Sequence, residues 1–190
     1  VLEALRQPLE EGFVTISRAR GSLRLPARFQ LVAAHNPCPC GEYGTDGGEA
    51  CRCTHGQVRQ YQARLSGPLL DRIDLRVSVP RLSAEDLLSA PGAEPSTAVR
   101  ARVKAARHRM LQRQGCPNAQ LTGQQLRQHA EPVAAAAELL NELASHGRLS
   151  GRGFDRLLRV ARTVADLEES AQVEARHLAE AAAYRHRRKG

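Results

Sequence analysis

Two Cys-x-Cys pairs, Cys38-Pro39-Cys40 and Cys51-Arg52-Cys53, constrain this chain more than any other feature, because a ten-residue Gly-rich loop can fold back and bring all four thiols together. Thiolates in such a group favour Zn²⁺ in a tetrahedral structural site. The spacing is tighter than the commoner Cys-x₂-Cys, and it also admits free or disulfide-bonded thiols or an iron–sulfur cluster. His35 and His55 flank the group and could replace a thiol. The fifth cysteine, Cys116, stands alone in a Gly-Cys-Pro turn and is expected to be inert. Four clustered cysteines in an odd total of five suit a metal site in a reducing compartment better than a secreted disulfide framework.

Around the cysteines the chain reads as an α/β piece followed by helices. Leu2, Leu5 and Leu9 recur at helical spacing before Gly12. Alternating residues on either side of Arg18-Ala19-Arg20-Gly21 predict a β-hairpin with Arg18 and Arg20 at its tip. The apolar run Phe29–Ala34 predicts a buried strand of a parallel sheet. Thr54 is placed to cap a helix over 55–65, and Ser66-Gly67-Pro68 ends it ahead of a helical turn at 69–72. The alternation from Ile73 to Val79 predicts another strand, and Ser83 can cap a short helix over 84–89.

Beyond a linker-like stretch (APGAEPST, 90–97) the pattern is helical throughout. Helices are predicted over 97–114, 123–130, from Pro132 to about Gly147, over 150–168 and over 174–186. The first is strongly basic, and the fourth carries an apolar stripe of Phe154, Leu157, Leu158, Ala161, Val164 and Ala165. The expected division is residues 1–80 as an α/β core portion with its Cys-rich loop at 37–53, 81–96 as a linker, and 97–190 as an α-helical bundle. The whole is expected to be predominantly helical.

The net charge of +8 fits a polyanionic partner such as nucleic acid or nucleotide phosphates, and equally a well-solvated basic surface. No apolar run approaches the roughly 20 residues needed to span a bilayer, and the first residues, VLEALRQPLEEG, show no basic n-region or apolar h-region of a signal peptide. No membrane partner is expected, and the expected compartment is the cytoplasm. The chain begins at Val1 in what reads as mid-helix, as a fragment of something longer would.

Three positions invite chemistry. Asn36 follows the apolar run, where ligands bind at the C-terminal ends of strands in open α/β sheets; a turn-capping Asn ahead of Pro37 is the plainer reading. Arg72 lies between Asp71 and Asp74, where a guanidinium can stabilise a transferring phosphoryl group or simply pair with a neighbour. Arg152, Arg156 and Arg159, with Arg148 nearby, fall on one helix face. No Gly-x₄-Gly-Lys-Ser/Thr occurs, and no apolar run ends in Asp-Glu, so the chain has no phosphate cradle of its own.

The strings FQLVAAHNPCPCG, CRCTHGQVRQYQARLSGPLLDRIDL and LSGRGFDRLLRVARTVADLE resemble the magnesium-chelatase-like AAA+ ATPases of the ComM/YifB family, in the right order and over nearly the whole chain. The resemblance implies the C-terminal part of the ATPase module, with Walker A and Walker B upstream. It implies that Asn36 is sensor 1, that Arg72 is an arginine finger acting on a neighbouring subunit's nucleotide, and that Arg152 is the sensor 2 residue, with Arg156 the lesser candidate. Arg18 and Arg20 resemble the tip of a pre-sensor hairpin that touches DNA. His35 stands where the family usually carries Met or a similar residue. The implied whole protein is a ring, expected to be a hexamer, that uses ATP and Mg²⁺ to drive a helicase-type motor on DNA. This chain alone is expected to be inactive as an ATPase. A zinc-stabilised DNA-binding module without motor function and a metal-chelatase subunit are the alternatives.

Overall fold

The structure, a computed structural model, describes residues 2–44, 51–80, 82, 85, 88, 92–145 and 149–185. The chain is predominantly helical, with a two-stranded antiparallel hairpin. The described residues fall into two compact units, one up to Ile73 and one from Asp74.

In the first unit a 3₁₀ turn at Leu2–Leu5 runs into α1 (Arg6–Glu11). Gly12 ends it in the left-handed region at φ 70°, which glycine adopts without a Cβ penalty. Strands β1 (Phe13–Arg18) and β2 (Gly21–Pro26) then pair in register from Phe13↔Pro26 to Arg18↔Gly21. Helix α2 (His55–Gln62) starts from Thr54, whose hydroxyl accepts from the Gln57 N–H while the Gln57 side chain accepts from the Thr54 N–H. This reciprocal box satisfies two otherwise orphaned donors. Ser66 caps α3 (Gly67–Leu70), with Pro68 in its first turn.

The two strands predicted at Phe29–Ala34 and Ile73–Val79 do not form. Neither segment joins a strand ladder, although the Arg76 N–H donates to the Tyr184 carbonyl at 2.9 Å, and Val32 and Val79 are 85% and 86% exposed. A strand exists only through a ladder partner, and the hairpin is the only ladder between strands among the described residues. Apolar patterning signals burial; it does not supply the neighbour.

The second unit holds α4 (Ser96–Gln114), α5 (Gly123–His129), α6 (Ala134–Ser145), α7 (Gly151–Leu167) and α8 (Ala175–Ala183). Helix α7 is central and packs against α4, α5 and α8. The Ser150 hydroxyl caps it by accepting from the Gly153 N–H at 3.0 Å. Its stripe of Leu157, Leu158, Ala161, Val164 and Ala165 is buried, with Leu121, Leu126, Leu140, Val173 and Leu178 closing over much of it. Truncating one such leucine to Ala costs about 2–5 kcal/mol. No described helix is long and apolar enough to cross a membrane.

The helix bounds agree with the sequence patterns to within a few residues. The helix expected over 84–89 lies outside the described residues apart from Glu85 and Leu88, and Arg148 and residues 186–189 lie outside them altogether.

Candidate nucleotide and metal sites

The four paired cysteines converge. Cys38, Cys40, Cys51 and Cys53 place their sulfurs within 4.8 Å of one another. The Sγ separations are 3.3 Å for Cys38–Cys40, 3.7 Å for Cys40–Cys51 and 3.9 Å for Cys38–Cys51. All are free thiols, and Cys38 is fully buried. The arrangement could hold a metal ion such as zinc.

Local backbone geometry builds this cluster. The Gly41 N–H donates to the Cys38 carbonyl at 3.1 Å, closing the Cys38–Gly41 turn, and Gly41 sits at φ 88°, a conformation that side chains resist. The second pair ends one residue before the Thr54 cap of α2. At the far end of that helix, Gln62 Nε2 donates to the Pro37 carbonyl at 3.2 Å. The cluster is electrostatically uneven. A hydrogen bond from the Glu42 backbone, with others from Cys38 and the Arg52 backbone, lowers the Cys40 thiol to about 6. At Cys53 a backbone hydrogen bond from Cys40 acts downward. Burial and the Cys40 and Cys38 sulfurs outweigh it and push the thiol up to about 12.

Asn36 stands immediately before this cluster and is exposed. Its side-chain amide lies 3.7 Å from where a Cβ on Gly41 would sit, so it rests over the cysteine turn. The neighbouring His35 Nδ1 is 2.8 Å from the Asn36 carbonyl and donates to it.

Arg72 follows α3, with its backbone N–H donating to the Leu69 carbonyl at 2.9 Å. Its side chain is only 9% exposed. Nη1 donates to the Pro68 carbonyl at 2.8 Å, and Nη2 donates to the Glu10 carboxylate on α1. Glu10 was not evident as a partner from sequence, since 62 residues separate the pair.

In the second unit the three arginines expected on one face of α7 part company. Arg159 Nε donates to the Leu121 carbonyl at 2.8 Å, and Arg156 is 11% exposed and 3.6 Å from Asp74. Arg152, in the first turn, is exposed. Beneath them lies a buried ionic network that sequence reasoning missed. Asp166 accepts from Arg113 at 2.6 and 2.9 Å, from Asn118 at 2.8 Å and from Arg162 at 3.0 Å. Arg162 also donates to the Ala171 and Ser170 carbonyls. The i,i+4 spacing of Arg162 and Asp166 was its one sequence signal.

Arg18 and Arg20 are exposed at the hairpin tip, where Gly21 at φ 143° takes the chain back into β2.

Residues 1–87 match the family model described as magnesium chelatase, subunit ChlI, and residues 93–185 match its C-terminal counterpart. The chain belongs to this magnesium-chelatase-like family. It is 45% identical, over 97% of its length, to the protein YifB of Escherichia coli (strain K12), and 42% identical over 97% to the competence protein ComM of Haemophilus influenzae. It is also 46% identical, over 87% of its length, to protein Mb2921c of Mycobacterium bovis. The chain spans 36% of the length of the first two relatives and 33% of the third.

Proposed function

We propose that this chain is part of a AAA+-type ATPase, to which it contributes the residues that sense and act on nucleotide but not those that cradle it. Asn36 positions the attacking water beside the nucleotide of its own subunit. Arg72 reaches the nucleotide of a neighbouring subunit and stabilises charge on the transferring phosphoryl group. Arg152, exposed in the first turn of α7, serves as the sensor 2 arginine, with Arg156 the lesser candidate. ATP and Mg²⁺ are held mainly by the two thirds of the relatives' length that this chain does not span.

The observation that carries the reading is the pair of ordered family matches, over 1–87 and 93–185. The exposed apolar segments at 29–34 and 75–79 support it, because they fit strands whose sheet neighbours belong to that remaining length. The finer reading is a ring, a hexamer, that moves on DNA in the manner of a helicase. The net charge of +8, the basic hairpin tip and the competence name of one relative support DNA as the track. A chelatase subunit acting on a tetrapyrrole is the rival suggested by the family description, but the positive charge fits the dense phosphate charge of DNA better than a porphyrin.

The test is ATP turnover by the full-length protein carrying Arg72→Ala. Turnover should fall on the order of 10³-fold or more while ATP binding persists. Near-normal turnover would remove Arg72 from the mechanism. Salt-dependent DNA binding by this chain that nucleotide never affects, together with no ATPase activity in the full-length protein, would instead favour a DNA-binding module without motor function.

A further inference from the structure

We propose that Cys38, Cys40, Cys51 and Cys53 bind a single zinc ion in a closed four-thiolate site, and that this ion fastens the turn after Asn36 to the start of α2. Four sulfurs around zinc at about 2.3 Å in a tetrahedron stand about 3.8 Å apart. The separations of 3.3, 3.7 and 3.9 Å bracket that value, and all four sulfurs lie within 4.8 Å of one another. Each pair spans only one intervening residue, so each supplies two neighbouring corners of the tetrahedron. Four protein ligands leave no open position, which is the arrangement of a structural ion and not a catalytic one.

Among the described residues of the first unit the buried apolar ones are Pro8, Cys38, Val58 and Leu69, so Cys38 is itself part of what little side-chain packing surrounds the cluster. The four cysteines form no disulfide, and they join two stretches that the Gln62–Pro37 hydrogen bond also links. The ion would restrain the Pro37–Gly41 turn, on which the Asn36 amide rests, against the capped end of α2.

The experiment uses the 190-residue chain purified under reducing conditions, without nucleotide, so its outcome is independent of the ATPase reading. Elemental analysis should give stoichiometric zinc. Four thiols should resist a thiol reagent until the metal is stripped, leaving Cys116 as the internal reference. Cobalt(II) substitution should give intense tetrahedral d–d bands with thiolate charge transfer. Metal removal should speed amide exchange at residues 36–41 and 54–58 more than in α7. Cys53→Ser should lower metal content; should that variant fail to fold, stripping and reloading the unaltered chain carries the test. Absence of bound metal with freely reactive thiols, a disulfide within the cluster, or an iron–sulfur chromophore would overturn the zinc site. Bound zinc whose removal leaves exchange at 36–41 and 54–58 unchanged would overturn its fastening role.

Discussion

Arg72 donates to the carboxylate of Glu10 within its own chain, and the Pro68 carbonyl holds its other terminal nitrogen at 2.8 Å. A guanidinium with 9% of its side chain exposed is parked, not extended. A residue acting on a neighbour's nucleotide would have to exchange Glu10 for a phosphate, a trade of one charge-assisted partner for another.

Glu10→Gln should therefore loosen that parking. Urea unfolding of the chain should show a loss of about 1 kcal/mol, the scale of one weakened hydrogen-bonded pair. ATP turnover of the full-length variant should stay level or rise, since Arg72 is freed to reach across. A fall as deep as that of Arg72→Ala would instead make Glu10 part of the working arrangement.

The Asp166 network should dominate the stability of the helical unit. Asp166→Leu leaves Arg113 and Arg162 without their shared carboxylate, and removing one partner of a buried ion pair costs about 3–5 kcal/mol. Chemical denaturation followed by circular dichroism measures it. A loss no larger than that of a surface substitution would show the network to be dispensable.

The same carboxylate predicts a pH dependence. Burial acts to raise the Asp166 pKa, but Arg113, Asn118 and Arg162 outweigh it and hold the group below the usual carboxylate range. A depressed folded-state value means that Asp166 contributes its full stability above the unfolded value of about 3.9 and loses it as pH falls through the lower folded value. Unfolding free energy should thus decline below about pH 4. That decline should be shallower in Asp166→Asn.

At the hairpin tip, Arg18→Ala with Arg20→Ala should leave the unfolding midpoint unchanged, because both side chains are exposed. If the tip touches DNA, affinity should drop uniformly across sequences. The slope of log affinity against log salt should flatten by about 1 for each phosphate that an arginine no longer neutralises. An unchanged slope would place the DNA-binding surface elsewhere.

What the sequence disclosed was mostly local. The hairpin was legible because alternation and Gly21 lie within a few residues of each other. Helix α2 was legible because Thr54 stands directly before it and does cap it, and α7 because its apolar stripe recurs at helical spacing. Thr122 stands before α5 in the same way, yet its side chain makes no capping bond there. The cysteine cluster was legible because the pairs are close in sequence and joined by a loop rich in glycine. Residues 29–34 and 73–79 misled because an apolar pattern signals burial without supplying a ladder partner, and no strand among the described residues pairs with either. The Arg72–Glu10 pair and the convergence of Arg113, Asn118 and Asp166 join distant segments, and no periodicity encodes them.

Under the proposed division of labour Arg72 works on a nucleotide bound by another subunit while Asn36 works on its own. Full-length Arg72→Ala and Asn36→Ala proteins, each inactive alone, should be mixed and their ATP turnover measured as a function of ratio, with native mass spectrometry confirming mixed assemblies. In a mixed assembly some interfaces pair an intact Asn36 with an intact Arg72, so activity should rise to a maximum near equal mixing. Mixed assemblies that recover no turnover at any ratio would contradict that division of labour.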